Sequence, residues 1–441
     1  MAPLAAAEPS PAGPLKAYVA EADDSYRWVK RREGKFAGAD YAELTLTSQT
    51  WKGITWQHQL YILKPVEVDD AAQGLLLIAG GRWKPEYAEP PVPGNDKIPG
   101  EAHLLAGIAA QIKAPVAVLL HCPFQPIFDG LTEDAAISYT FEQFVKTGES
   151  DWPLLLPMVK SAVRAMDCVQ EYSREAWQLE VKKFTISGGS KRGWTTWLTG
   201  AVDERAAALA PMVIDVLNIG PQMKHQLFTW GEFSDEIDDY TKRGLQRQMA
   251  SEAGRALNAI VDPYAYRNDL KQPKLIMLGT NDRYWPLDAC NLYWDGLEGE
   301  KYLLYVPNNG HGLKDLLRVA GSVAALHQHS AGQLKLPQLQ WELAEEGDEL
   351  RLALTSDKLP KQVSIWRAAA DTRDFRESKW ESTSISTKGV QYEYRLARPK
   401  SGYAAMFGEA VFDGITAPFY LSTNLRIIAA PDAPKATVKK P

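Results

Sequence analysis

Short uninterrupted apolar runs recur along the chain at 75–79, 116–120, 184–187, 207–214, 275–278 and 302–306. Each is too short for a buried helix and apolar on both faces, so each reads as a strand covered from both sides. Helix-length stretches, 102–112, 154–175 and 193–202 among them, separate most of the runs. Strands of this kind joined by helical crossovers predict a mainly parallel α/β sheet. Ahead of them, 41–65 alternates apolar and polar residues around Lys52-Gly53, the pattern of an antiparallel hairpin. Two stretches, 123–153 and 217–262, are longer than a crossover needs and rich in aromatic and acidic residues, which predicts helical cap insertions over one edge of the sheet.

Near residue 330 the pattern changes to short alternating segments at 339–343, 349–355, 362–367, 391–395, 402–412 and 420–428, punctuated by turn residues. This predicts a C-terminal β-sandwich of about seven strands. The expected organisation is a flexible lead-in at 1–16, an α/β domain at 17–333, the β-sandwich at 334–430 and a disordered tail at 431–441.

With 49 basic against 55 acidic residues the net charge is −6, which leaves no electrostatic footprint for nucleic acid. A small-molecule or polymer substrate is the expected partner, and oligomeric state is left open. The 3 cysteines, Cys122, Cys168 and Cys290, are too few and too scattered for a disulfide framework or a thiolate metal site. His327-Gln-His329 has no matching ligand cluster, so neither a metal nor another cofactor is expected. No run reaches the roughly eighteen apolar residues of a membrane span. The opening MAPLAAAEPSPAGPLK lacks a basic region followed by a continuous apolar one, so it is not an intact export leader, although it could follow a removed one.

The chemistry is carried by 184–194, FTISGGSKRGW, a strand that runs through glycines and a serine into a helix-like stretch. A serine nucleophile in an α/β-hydrolase needs such a turn, because small neighbours permit the strained strand-to-helix corner that presents the hydroxyl. Ser190 is the candidate nucleophile. Arg192 stands where a second small residue is expected, with Gly193 one place later. On its own the segment also fits an ordinary glycine-rich βα turn. Two later segments favour the catalytic reading. PKLIMLGTNDRYWP places Asp282 after a buried strand, and YLLYVPNNGHG places His311 after the next. The chain order Ser190, Asp282, His311 is the order this fold uses. Asp215, closing the run 207–214, is the alternative acid. The oxyanion hole is expected from the backbone amides of Lys191 and Gly81, the latter in the loop Gly80-Gly81-Arg82-Trp83. Lys191 and Arg192 meet an acidic substrate group, or are solvated surface charges, or form structural ion pairs. Arg82, Trp83, His225, Trp230, Glu232 and Trp285 are candidate substrate-binding residues, and no catalytic side chain is expected from 334–430.

The segments GGSKRGWTTWLTGAVDERAAALAPMVIDVLN, GTNDRYWP and VPNNGHGL resemble those of the PhoPQ-activated pathogenicity-related proteins, a bacterial group of the α/β-hydrolase superfamily. The resemblance spans about 15–430 and implies an exported hydrolase-like domain with an appended β-domain and Ser190, Asp282 and His311 as the triad. A basic residue directly after the serine also resembles the elbow of glucuronoyl esterases. Ester cleavage is the first expectation. Aminopeptidase-like cleavage is the second, with Glu232, Asp235 or Glu236 holding a substrate amine, and a catalytically silent binding or signalling protein is the third.

Overall fold

Nine strands build the central sheet of the computed structural model, which describes residues 13–69, 72–89, 102–385 and 389–433. In chain order they are β1 (Arg27–Phe36), β2 (Ala39–Trp51), β3 (Ile54–Pro65), β4 (Gln73–Ile78), β5 (Val116–Leu119), β6 (Lys183–Gly189), β7 (Ala206–Met212), β8 (Lys274–Gly279) and β9 (Lys301–Val306). Their spatial order is β1-β2-β3-β5-β4-β6-β7-β8-β9. The hairpin pattern around Lys52-Gly53 becomes the antiparallel β2–β3 pair, while β5, β4 and β6 to β9 run parallel. β1 carries charge on most of its length and so escapes an apolar-run reading.

The apolar runs work because successive side chains enter two different cores. Leu75, Val116, Leu275 and Leu304 face one side, where helices α2 (Ala102–Ile112) and α10 (Leu316–Ser330) pack. Leu76, Ala117, Ile276 and Leu303 face the other, against α4 (Leu155–Trp177) and α5 (Lys191–Val202). Helix α1 (Pro14–Ala20) buries Leu15 completely, so order begins before the end of the expected lead-in at residue 16. The rest of that lead-in, and most of the tail at 431–441, lie outside the described residues. The two long insertions contribute α3 (Glu133–Thr147) and the group α6 (Ile219–Trp230), α7 (Asp238–Lys242), α8 (Leu245–Gln248) and α9 (Glu252–Val261).

The C-terminal region forms antiparallel sheets from β10 (Leu339–Glu346), β11 (Glu349–Ser356), β12 (Gln362–Ala370), β13 (Glu381–Ile385), β14 (Gln391–Ala397), β15 (Tyr403–Asp413), β16 (Pro418–Ser422) and β17 (Arg426–Ala429). β10-β11-β14 make one sheet, and β13-β12-β15-β16, with β17 on β15, make the other. The expected single segment at 420–428 is thus two strands, broken where Thr423 turns to donate its amide to the Gly408 carbonyl. The polar sequence of β13, ESTSI, hid it from apolar patterning.

These sheets do not stand apart from the α/β core. Phe375, Trp380, Phe407 and Leu425 join the same apolar cluster as α4 and α5, and the Phe407 ring meets Tyr305 of β9 at 5.2 Å. Arg318 of α10 pairs with buried Glu409 of β15. A fragment ending near Gln333 should therefore expose a broad apolar face and aggregate. Size-exclusion chromatography of that fragment beside the full chain checks this, and a monodisperse, cooperatively melting fragment would contradict it.

Candidate active site

The parallel strands deliver their loops to one edge of the sheet, the usual place for a site in an α/β fold. At the end of β6 the chain turns directly into α5 through Ser190, held at φ 58°, ψ −129°. A non-glycine residue in this region costs about 1–3 kcal/mol and persists only when its surroundings enforce it. Here the Ser190 amide donates to the Met212 carbonyl at 2.9 Å, and the Ser190 carbonyl accepts from Trp194 at 3.0 Å. The glycines that permit the corner are Gly188 and Gly193. A Cβ on Gly188 would lie 2.7 Å from the Arg192 carbonyl, and one on Gly193 would lie 2.7 Å from the Ile214 side chain. The close approach thus falls one place later than the motif suggests, and Arg192 is free to carry a long side chain.

That side chain is buried. Its Nε donates to the Cys122 carbonyl at 2.6 Å and its two terminal nitrogens donate to both oxygens of Glu133 at 2.7 Å. Gly80 lies under the guanidinium, where an added Cβ would sit 2.5 Å from Nη2. Lys191 Nζ reaches Glu133 at 3.1 Å and Asp134 at 3.0 Å, and Asp134 also accepts from the Tyr240 hydroxyl at 3.0 Å. Burial pushes the Glu133 carboxyl up, but the Arg192 hydrogen bonds and the charges of Arg192 and Lys191 outweigh it and hold it down to about 2. Of the three sequence readings for the basic pair, structural ion pairing describes what is seen. Glu133→Gln should leave Arg192 without its carboxylate while Lys191 keeps Asp134, and, with Glu133 more than a third exposed, should cost about 1–3 kcal/mol, read as a lowered Tm at pH 7.

Beyond β8 and β9, His311 Nδ1 lies 2.9 Å and 3.1 Å from the two oxygens of Asp282. Asp282 also accepts from the Tyr284 amide at 3.0 Å, and the Tyr284 ring stacks on the imidazole at 4.1 Å. His311 Nε2 is buried with no hydrogen-bond partner among the described residues. The two loops brace each other through Asn281 N–H to the Asn309 carbonyl at 2.9 Å. They are braced from outside as well. The Asn281 amide donates to the Ser378 carbonyl at 2.7 Å, and Asn308 exchanges hydrogen bonds with the Trp380 backbone at 3.0 and 2.8 Å. No side chain of 334–430 is seen bonded to Ser190 or His311, yet this segment props the loops that carry Asp282 and His311.

Ser190, Lys191, Tyr284, Trp285 and His311 line one cleft beneath α3 and α6 to α9, with about 840 Å³ of free space including its open mouth. Arg82, Trp83, His225, Trp230 and Glu232 are not among the residues lining it, and Trp230 instead borders a neighbouring small space with Asp282 and Trp285. Arg82 is exposed, and Trp83 packs edge-on to His121 at 5.7 Å. His225 Nε2 is committed to Asp288 at 2.6 Å, a carboxylate that Arg373 also engages. Trp230 lies under the Arg376 guanidinium at 4.3 Å, and Glu232 is exposed. Asp288 thus takes up His225, and Arg373 and Arg376 from between β12 and β13 engage Asp288 and Trp230, pairings no local pattern announces. Gly81, at φ +124°, turns the loop after β4, and an added Cβ would meet His121 Nδ1 at 2.8 Å.

Asp215 lies just past β7, buried, with Oδ1 lacking a hydrogen-bond partner among the described residues. It shares a small enclosed space with Asp282 and Trp285. Burial, and then the charges of Asp282 and Asp288, push its carboxyl from 3.8 to about 7. The folded state therefore keeps a proton that the unfolded chain loses near pH 4, so this group lowers stability progressively from there to about pH 7. Asp215→Asn should gain on wild type by a few kcal/mol between pH 4 and pH 8, since each unit is worth about 1.4 kcal/mol. Chemical denaturation at both pH values checks it, and a constant difference would refute the assignment.

The described residues contain no group of three or more His, Cys, Asp or Glu placed to hold a metal, and the three cysteines are buried and free. No helix among them is long and apolar enough to cross a membrane.

The family model described as PhoPQ-activated pathogenicity-related protein matches residues 15–376. The chain belongs to this family. A relative from Dictyostelium discoideum, autocrine proliferation repressor protein A, is 30% identical over 435 residues, covering 90% of this chain and 86% of its own. Among solved structures, acetyl xylan esterase 1 from a Thermoanaerobacterium species aligns with TM-score 0.48 and 12% identity over 71% of this chain and 92% of that one. Pyrococcus horikoshii acylaminoacyl peptidase aligns with TM-score 0.37 and 14% identity over 66% and 44%. The strand order, the elbow after β6 and the loop positions after β8 and β9 give this member of the PhoPQ-activated family an α/β-hydrolase fold with antiparallel sheets at its C-terminus.

Proposed function

We propose that this protein is a serine hydrolase that cleaves an ester through an acyl-enzyme. The observation that carries the reading is His311: Asp282 holds one ring nitrogen, and the other, unpartnered, belongs to the cleft that Ser190 also lines. In the proposed cycle His311 Nε2 takes the Ser190 proton as Oγ attacks the ester carbonyl, then returns it to the leaving alcohol. Water activated by the same nitrogen releases the acid. The carbonyl oxygen faces the amide of Lys191, which as the first residue of α5 has no intrahelical acceptor, and that of Gly81. The helix N-terminus adds its favourable dipole.

Ester cleavage is preferred over aminopeptidase-like cleavage because a substrate amine needs an acidic anchor in the cleft. Glu232, Asp235 and Glu236 are exposed and outside the described lining, and Asp134 is engaged by Lys191 and Tyr240. Labelling with a fluorophosphonate, followed by a panel of acyl esters and aminoacyl amides, tests the proposal. Failure to label the folded protein would end it.

The name of the Dictyostelium relative favours a second reading, a signalling protein that retains the hydrolase fold. Equal biological potency of wild type and Ser190→Ala would support that reading. Export, which the family resemblance implies, belongs to the same proposal and is tested by fractionating cells that express the full gene.

A further inference from the structure

Resting on the hydrolase reading, we propose that the acyl part of the substrate is a hydrocarbon chain, held in the chamber between Ser190 and helices α8 and α9. The chamber walls are apolar and come from separate elements: Phe141 of α3, Ile214 after β7, Met223 of α6, and Leu257 and Val261 of α9. All five are buried, and bringing a hydrocarbon chain from water against such surface is favourable.

Charge on the walls is already spent. Among the described lining residues, the charged side chains are Lys191 and Asp134, and they pair with each other at 3.0 Å. The charges behind them, Glu133 and Arg192, are likewise paired. No ionic group is left over to recognise a carboxylate, an ammonium or a phosphate. The uncharged amides Gln246, Gln248 and Asn258 are at least partly exposed, so they mark an outer edge and leave the interior to hydrocarbon. The polar reacting atoms of Ser190 and His311 border the same space, so a chain in the chamber has its carbonyl carbon at one end beside the nucleophile. A sugar or peptide acyl group would instead strand its hydroxyls or amides against apolar walls, at a cost for each unpaired group.

The test is a series of p-nitrophenyl esters from acetate to decanoate with the full-length protein. Each methylene buried should raise kcat/KM about fourfold, so octanoate should exceed acetate by well over tenfold. Leu257→Trp, which fills the chamber, should cut the octanoate-to-acetate ratio at least tenfold. Met249→Trp, at a half-buried lining position, should do the same where Leu257→Trp folds poorly. A parallel titration reads binding without catalysis: quenching of tryptophan fluorescence in Ser190→Ala by butanol, octanol and decanol, with Trp194 and Trp285 in the walls as reporters. Tighter binding of decanol than butanol, lost in Leu257→Trp, is expected. Hydrolysis with no gain from chain length would overturn the chamber assignment and leave the hydrolase reading standing. Chain-dependent alcohol binding with no ester turnover or labelling would sink the hydrolase reading and support a hydrocarbon site. No turnover and no chain-dependent binding would overturn both.

Discussion

Ser190→Ala is expected to lower kcat for ester hydrolysis by on the order of 10⁵ while the protein stays folded. Alanine removes one oxygen and keeps the backbone conformation at φ 58°, whose strain either residue bears alike. The hydrogen bonds that hold the corner use the Ser190 amide and carbonyl, not its hydroxyl, so the elbow remains. What is lost is the oxygen that the proposed cycle bonds to the acyl group. Residual rate should come from binding and the oxyanion amides alone, which elsewhere leave a modest enhancement over water. Stopped-assay kinetics on protein of unchanged Tm make the measurement. A variant that retains a tenth of the activity, or still labels with a fluorophosphonate, would remove Ser190 from the mechanism.

How much of this was legible beforehand follows from the range of the forces involved. The strands of the parallel sheet are buried on both faces by local sequence, so 75–79 and 302–306 announced β4 and β9 from their own composition. The elbow, too, is local: glycines and a serine between a strand and a helix. The ion-pair cluster was not legible, because Glu133 and Asp134 lie far along the chain from Lys191 and Arg192, and only the fold brings them together. The same holds for Tyr284, whose ring covers His311 but whose sequence neighbours read as an ordinary loop. The partners of His225 and Trp230 were hidden for a related reason. Aromatic and titratable residues in an insertion look like substrate contacts, and here Asp288, Arg373 and Arg376 take them up. A residue's type says what chemistry it offers; which partner claims that chemistry depends on distant chain.

Asp282→Asn is expected to lower kcat by about 10⁴, and Asp215→Asn by far less. The difference comes from what each carboxylate touches. Asp282 lies 2.9 Å from His311 Nδ1, where in the proposed cycle it accepts the Nδ1 proton and leaves Nε2 to act as the base. An asparagine can turn its NH₂ toward Nδ1, and the imidazole then carries its proton on Nε2, the wrong nitrogen for accepting one from Ser190. The imidazolium formed during turnover also loses its counter-charge. The Tyr284 amide, which now donates to Asp282, can still donate to the asparagine oxygen, so the loop keeps its shape and the loss falls on the chemical step. Asp215 is not seen bonded to His311. Its carboxyl is raised to about 7 by burial. Removing its charge should therefore alter the pH dependence of stability more than the rate. Steady-state kinetics of both variants at about pH 8, with circular dichroism to certify folding, decide the matter. A larger kcat loss in Asp215→Asn than in Asp282→Asn would transfer the orienting role to Asp215.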